Sequence, residues 1–406
     1  MDDDILSQGD DREPSPWPRR LGVIAVVIAV AVGGIVYLAQ PHGKTTASAA
    51  HPASPTPPAQ PTLSPVPVES PEFVRLPPGP NGIIGGASWE SSLRLPVSGA
   101  QPAWFWPATG RSVTVGGLPA DSAGYQFTRV GGGWAVQANG ISCGGGDCAT
   151  PPSPVWFLGN DAKSVVPIGE ADLAAPASNA NALWLTSYFP IGNNVTANGV
   201  AREVSTAGSQ IGPTVTVPPG YLISQGTSRG LLLISAGAQP GKSVYTLWDP
   251  GSGKTIRTFD NVIAASATEV AWTSGCGPTA CHVQVLDLAT GTQTSVALPS
   301  GSSAAGASFS PDGRLLALQL SYGLDGALAM RLDVATVATG RLTEVPHATG
   351  SSDALFAFGW PANGDSLVAE FTFMPTIQLA SWHLGSSRLA VSVLKPGATQ
   401  ASLVVG

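Results

Sequence analysis

The sequence contains little charge. Charged residues make up 11% of its 406 residues, against roughly 25% in an average soluble domain. The 26 acidic residues outnumber the 19 basic ones, and no stripe of lysine and arginine is present. This balance excludes a strongly basic nucleic-acid-binding protein, because such proteins cluster their cations against phosphates.

The chain as a whole is not a low-complexity sequence. Glycine (49) and proline (37) make up about a fifth of the chain, below the roughly 25–30% of low-complexity chains. Hydrophobic residues, at 43%, suffice for a sizeable core, which excludes a wholly disordered protein. Lysine is scarce, whereas alanine, glycine, proline and valine are abundant. GC-rich codons produce this bias, so a bacterial source is predicted.

Long apolar runs are absent except over residues 21–39 (LGVIAVVIAVAVGGIVYLA). At 1.5 Å per residue this run reaches roughly 30 Å, the thickness of a bilayer core. Because backbone groups in lipid must be satisfied within the segment, the run predicts a transmembrane helix. Arg19 and Arg20 precede it, and only Lys44 follows closely. The positive-inside rule therefore predicts a cytoplasmic amino terminus and an extracytoplasmic remainder.

Polar segments flank the apolar run. Residues 1–20 are acidic and lack apolar periodicity, which predicts a disordered cytoplasmic tail. Residues 40–72 are rich in proline, alanine and serine, which predicts a semi-rigid linker. A cleaved signal peptide is the alternative, since residues 47–49 (ASA) resemble a cleavage site. Its apolar region would usually span only about 7–15 residues, so a retained anchor is favoured.

The remaining residues, 73–406, lack the 3.6-residue periodicity of long helices. Short β-branched and aromatic runs alternate there with glycine, proline, serine and asparagine, a pattern typical of strands and turns. Related turn motifs recur at 106–110 (WPATG), 248–253 (WDPGSG), 287–291 (DLATG) and 333–340 (DVATVATG). Repeats of about 40–50 residues with four strands each are typical of β-propeller blades. An all-β fold, a β-propeller of about seven four-stranded blades, is predicted.

Seven repeat units can be delimited. They span residues 81–120, 121–170, 171–217, 218–260, 261–300, 301–346 and 347–395. Each sheet would be apolar on both faces, so the first and last blades must meet to bury them. Residues 72–90 or the tail after Lys395 are expected to supply the closing strand. The aromatic cluster 104–106 (WFW) is expected to pack between blades rather than form a sugar-stacking platform.

Two segments resemble known propeller repeats. Residues 310–317 (SPDGRLLA) resemble the strand and turn of TolB-type repeats. Residues 244–254 (VYTLWDPGSGK) resemble the closing half of a WD40 repeat. The resemblance implies a WD40/TolB-like propeller, and a propeller fold by itself does not specify a function.

The four cysteines form two pairs of identical spacing, Cys143 with Cys148 and Cys276 with Cys281. Each pair follows the second predicted strand of a unit and precedes the third. Outside the cell this arrangement predicts two disulfides that staple loops on one face of the ring. By analogy with other propellers, that face is the expected binding surface. A four-thiolate zinc site and free thiols are the alternatives, although the pairs lie three blades apart.

Patterns that indicate catalysis are scarce. Residues 140–144 (GISCG) and 226–230 (GTSRG) match the nucleophile-elbow pattern, but no helical segment follows either one. His282, His347 and His383 have no partner at a catalytic or metal-binding spacing. No catalytic residue, cofactor or metal site is predicted, and enzymatic activity is left open but not favoured.

These features together predict a single-pass membrane protein with an extracytoplasmic propeller. Its expected role is that of a binding or scaffold module for a protein or a cell-envelope component, with no nucleic-acid partner. The alternative is a propeller enzyme of hydrolase or lyase type with a site at the channel mouth. Propeller active sites gather residues that are distant in sequence, so a missing local motif leaves that alternative open. A sensor domain that signals through the helix is a third hypothesis.

Overall fold

A computed structural model describes most of the chain from residue 85 onward. The described residues are 85–98, 102–119, 122, 124–138, 152–191, 194–235, 243–277, 280–324, 327–351, 355–373, 376–394 and 402–404. The predicted tail (1–20), helix (21–39) and linker (40–72) lie outside them. Over the described ranges, no helix has both the length and the apolar character needed to cross a membrane.

The described residues form 28 strands in seven four-stranded antiparallel sheets. In chain order the strands are β1 (Leu95–Ser98), β2 (Ala103–Trp106), β3 (Arg111–Thr114), β4 (Tyr125–Val130), β5 (Gly133–Ala138), β6 (Ser153–Gly159), β7 (Val166–Ala171), β8 (Leu173–Pro176), β9 (Ala182–Ile191), β10 (Asn194–Ser205), β11 (Gln210–Val217), β12 (Tyr221–Thr227), β13 (Gly230–Ser235), β14 (Val244–Asp249), β15 (Lys254–Asp260), β16 (Val262–Ala265), β17 (Glu269–Ser274), β18 (His282–Asp287), β19 (Gln293–Ala297), β20 (Ser302–Phe309), β21 (Leu315–Leu324), β22 (Ala327–Thr336), β23 (Arg341–Ser351), β24 (Leu355–Gly359), β25 (Ser366–Phe373), β26 (Thr376–His383), β27 (Ala390–Leu394) and β28 (Ser402–Leu403).

Each sheet is one blade of a seven-bladed β-propeller. Blade 1 has the strand order β28-β1-β2-β3, and blades 2 to 7 are the successive quartets from β4–β7 to β24–β27. The predicted fold and blade number are thus confirmed, and the predicted unit boundaries fall close to the blade boundaries. The sixth unit is longer than predicted, since β23 continues to Ser351 rather than ending near residue 346.

Both candidate closing segments take part in joining the ring. The carboxyl-terminal strand β28 pairs with β1 through Val97 with Leu403 and Ser98 with Ser402. At the other end, Ala87 forms a parallel bridge to Ala390 of the last blade. The tail therefore supplies the missing strand of blade 1, and the amino-terminal segment extends the outer edge of blade 7.

The hydrophobic core lies between the blades. Seven clusters of buried side chains each draw on two adjacent blades, including one shared by blades 7 and 1. In that cluster Leu403 packs with Leu95 of blade 1 and with Val368 and Leu379 of blade 7. Closure of the ring removes these side chains from water. The resulting stabilisation scales with the apolar area that is buried.

The glycines of the recurrent turn motifs occupy equivalent positions in four blades. Gly110, Gly253, Gly291 and Gly340 all have φ between 65° and 75° and lie in the turn between the third and fourth strands of their blades. L-residues avoid this left-handed region, so glycine is favoured there.

Asp333, the first residue of the 333–340 motif, does not lie in a turn. It lies inside β22, two residues from Arg331, and is almost fully buried. The two side chains form a bidentate ion pair with N–O distances of 2.7 and 2.8 Å. Burial raises the pKa of the Asp333 carboxyl, and the Arg331 guanidinium opposes that rise. The residue that resembled a turn aspartate is therefore part of a buried ion pair.

Candidate functional site

Because neighbouring strands in each blade run antiparallel, successive connections emerge on opposite faces of the ring. The connections between strands 1 and 2 and between strands 3 and 4 emerge on one side of the ring, called here the lower face. The connections between strands 2 and 3 emerge on the opposite, upper face. Each upper connection lies wholly or partly outside the described residues. The undescribed stretches are 99–101, 139–151, 192–193, 236–242, 278–279, 325–326 and 374–375.

A cavity of about 250 Å³ opens on the lower face where the ring closes. Four stretches distant in sequence meet there: 90–96 before and within β1, 160–161 after β6, 360–363 after β24, and Val404 after β28. The volume is below the roughly 300–1,000 Å³ of pockets for drug-sized ligands. The cavity is therefore small for a ligand pocket.

Three buried tryptophans line the cavity: Trp104, Trp134 and Trp360. The rings of Trp104 and Trp134 meet edge to face, with centroids 5.5 Å apart. The indole N–H of Trp104 donates to Ala162 O at 2.8 Å, and that of Trp360 donates to Ser308 O at 3.0 Å. By contrast, the buried indole N–H of Trp134 has no acceptor among the described residues.

Two arginines stack on these rings. The Arg94 guanidinium carbon lies 4.4 Å from the Trp104 ring centroid, and that of Arg129 lies 4.5 Å from the Trp134 centroid. Both distances are within the range of cation–π attraction. Asn160 links the two cations: its carbonyl oxygen accepts from Arg94 Nε at 2.9 Å, and its Oδ1 accepts from Arg129 Nη1 at 3.3 Å.

The two cations differ in their charge compensation. Arg94 Nη2 lies 3.2 Å from Asp161 Oδ1, but that carboxylate is fully exposed and such pairs contribute little. Among the described residues, no carboxylate pairs with Arg129. Burial lowers the pKa of Arg129 to about 10, because removal from water disfavours the charged form. The charged residues of the cavity lining are therefore one arginine, Arg94, and the carboxylates of Glu90 and Asp161, next to buried aromatic rings.

The predicted disulfide between Cys276 and Cys281 is present. It closes the connection between β17 and β18 of blade 5, between the second and third strands as predicted. Because these two sulfurs are bonded to each other, they are not zinc ligands. Cys143 and Cys148 lie outside the described residues, and a binding role for the upper face stays a prediction.

The second nucleophile-elbow match, 226–230, forms a β-hairpin. Thr227 ends β12 and Gly230 begins β13, so the strand-to-helix turn required for the elbow is replaced by a strand-to-strand turn. The first match, 140–144, lies outside the described residues. His282, His347 and His383 lie on blades 5, 6 and 7 respectively. Within the described ranges, no group of three or more histidine, cysteine, aspartate or glutamate side chains could hold a metal.

The sequence predicts only part of this site. The WFW cluster predicts that Trp104 packs between blades, and it does so between blades 1 and 2. No local pattern predicts that Arg94, Trp134, Asn160 and Trp360 are neighbours. The WFW cluster was the one available signal, and it gives no information on partners from other blades.

Comparison with known proteins gives structural similarities only. No protein-family model and no curated protein matches the chain. Among solved structures it is similar to a prolyl endopeptidase (TM-score 0.47, 13% identity, 74% of this chain) and spans 47% of that protein. It is also similar to TolB from Acinetobacter baumannii (TM-score 0.40, 11% identity, 72% of this chain and 75% of that one). A third similar structure is hydrazine synthase from Kuenenia stuttgartiensis (TM-score 0.37, 12% identity, 65% and 80%).

Proposed function

We propose that this chain is a membrane-tethered, extracytoplasmic binding module whose propeller recognises a protein partner. The apolar run at 21–39 and the linker at 40–72 support the tether and its orientation. The observation that carries the binding role is the lower-face cavity, where three buried tryptophans and Arg94 converge. Tryptophan and arginine are enriched among the residues that dominate protein–protein binding energy.

The scaffold suits such a role because its binding groups are preformed. Trp104 and Trp360 are held by hydrogen bonds to backbone carbonyls of the propeller. Arg94 is held against Trp104 and Asn160. Binding would therefore not carry the entropy cost of ordering these side chains.

Cross-linked co-purification of the full-length chain from native membranes tests the binding role. Ala362 is exposed at the rim of the cavity, so Ala362→Trp should obstruct the cavity without disturbing the core. Ala289 is an exposed alanine on the same face at blade 5, and Ala289→Trp is the matched control. We expect a stoichiometric partner with the parent chain and with Ala289→Trp, and its loss with Ala362→Trp. Absence of any partner, or equal recovery with both variants, would contradict this role.

Protease treatment of intact cells tests the tether separately. We expect the propeller to be cleaved from outside while an amino-terminal fragment that includes residues 21–39 stays in the membrane. A mature protein that begins after Ala49 would show that the apolar run is removed as a signal peptide.

A further inference from the structure

We infer that the outer edge of blade 7 pairs with the same edge of a second copy of this chain. The edge is strand β27, and the pairing is antiparallel about a two-fold axis that passes near Val393. This contact is separate from the lower-face cavity, so it does not depend on the proposed binding of a protein partner there.

The outer strands of the blades differ in how their free edges are protected. Regular, uncovered edges pair with other strands, and proteins protect them with charges, bulges, prolines or a covering segment. Four of the seven outer strands contain a bulge: β7, β11, β15 and β23. Strand β3 carries the charged Arg111. The edge of β19 is covered, since a Cβ atom on Gly340 of the next blade would lie 2.5 Å from Ser295 O.

Strand β27 has none of these protections within its own sequence. That sequence, AVSVL, contains no charged residue, proline or glycine. Its pairing with β26 continues without a bulge from Ala390 to Leu394. Val393 is 47% exposed, although valine is apolar and β-branched and therefore suited to strand pairing. Among the outer strands that the structure describes, β27 thus combines a regular edge with an uncharged one.

The chain itself covers only the start of this edge. Gly86 and Ala87 both donate to Leu389 O, at 2.9 and 3.0 Å, and Ala87 bridges Ala390. The chain then continues to β1 of blade 1. Outward-pointing backbone groups recur at every second residue of a strand, so the N–H and C=O of Val393 point away from β26, as Leu389 O does. No backbone group in the described ranges bonds to them.

The charge distribution favours a second copy as the occupant. The chain carries a net charge of −7, which opposes self-association in general. Residues 371–406, which include β26 and β27, contain no aspartate or glutamate. Two-fold pairing of β27 would therefore bring no carboxylates of this segment together. Each copy would supply the strand that the other lacks, as a two-fold interface requires.

Disulfide trapping in intact cells tests the pairing with the full-length chain. A hydrogen-bonded antiparallel pair places its Cα atoms about 5.5 Å apart, within the roughly 4.4–6.8 Å of a disulfide. Val393→Cys should therefore give a disulfide-linked dimer on a non-reducing gel. Val166 on the outer strand β7 is also 47% exposed, so Val166→Cys is the matched control. We expect at least tenfold more dimer with Val393→Cys than with Val166→Cys or the parent chain.

Lysine substitution provides a second test that needs no added cysteine. Cells that express two differently tagged copies of the chain are cross-linked with formaldehyde, and one tag is captured. Like charges opposite each other destabilise a strand pair, so Val393→Lys in both copies should reduce recovery of the second tag at least tenfold. Val166→Lys, at the same exposure, should leave recovery at the level of the parent chain.

Equal dimer yields from Val393→Cys and Val166→Cys would overturn the inference, as would equal recovery with Val393→Lys and the parent chain. Residues upstream of Gly85, or a strand of another protein, would produce those results if they occupied the edge, so either occupant counts against self-pairing. Failure here is distinct from failure of the binding role. A chain that captures its membrane partner but shows neither dimer signal would keep that role and lose the self-pairing.

Discussion

The buried carboxylate of Glu370 accepts a hydrogen bond from the backbone N–H of Leu403. Glu370 lies on β25 of the last blade, and Leu403 lies on the two-residue strand that completes the first blade. Each residue is only 3% exposed. This bond connects the two ends of the ring, in addition to the strand pairing of β28 with β1 and the packing of the Leu403 side chain.

Glu370→Ala is expected to weaken ring closure. The substitution leaves a buried N–H without this acceptor, so the free energy of unfolding should fall by about 1–3 kcal/mol. Glu370→Gln retains an acceptor oxygen and should cost less. Denaturant titration measures the change, and limited proteolysis should release the carboxyl-terminal residues sooner. The exposed Glu170 supplies a control, since Glu170→Ala should stay within about 0.5 kcal/mol. Equal stability of both alanine variants would contradict the closing role.

Gly230 is expected to tolerate alanine poorly. A Cβ atom there would lie 2.3 Å from the carbonyl oxygen of Trp248, and φ is +141°. At Gly291, φ is +75° and no atom lies within 4 Å of the added Cβ. Gly291→Ala should therefore cost about 1–2 kcal/mol from the backbone conformation alone. Gly230→Ala should cost about 3 kcal/mol or more, because steric overlap is added. Denaturant unfolding of the two variants measures the difference, and a smaller loss for Gly230→Ala would refute it.

Removal of the Cys276–Cys281 disulfide should lower stability modestly. The bond closes a loop with a sequence separation of 5, and the chain-entropy relation gives about 2 kcal/mol for so short a loop. Cys276 is exposed, whereas Cys281 is buried. Cys276→Ala therefore breaks the bond while it preserves the packing of Cys281. Denaturant unfolding and non-reducing peptide maps provide the measurement. An unchanged free energy of unfolding, or one reduced by more than about 4 kcal/mol, would show that the loop plays a different role.

Stability should decrease in acid because of the turn aspartates. Backbone hydrogen bonds from Thr290 and Ala289 lower the pKa of Asp287, and hydrogen bonds from Ser252 and Gly251 lower that of Asp249. The stabilisation that each lowered pKa provides is fully present above the ordinary aspartate pKa of 3.8. It is lost as pH falls below that value through the folded-state pKa.

The double variant Asp249→Asn with Asp287→Asn tests this dependence. Asparagine retains an acceptor oxygen for the turn but does not titrate. The free energy of unfolding of the variant should therefore fall less steeply below pH 3.8 than that of the parent chain. Denaturant titrations at a series of pH values give the two slopes. Identical slopes would mean that these carboxylates do not control the acid response.

The propeller could be predicted because its signals are local. Asp287 accepts from Ala289 and Thr290, within three residues, and Gly291 adopts the left-handed conformation in the same turn. Such turns depend on neighbours in the chain, so their residues recur wherever a blade repeats the turn. Asp333 is a position where the local pattern does not predict the structure. Its motif resembles the others, but an arginine two residues away on the same strand holds it inside the blade.

The sequence by itself determined the blade repeat, the strand-and-turn pattern and the cysteine spacing, since each depends on residues close together in the chain. Tertiary structure alone decided that the tail completes blade 1 and that Glu370 holds Leu403 there. It also decided which residues form the cavity, because Arg94, Trp134, Asn160 and Trp360 become neighbours only when blades 7, 1 and 2 meet. The physical reason is that the ring buries its apolar surfaces only when it closes, and closure unites segments that are distant in sequence.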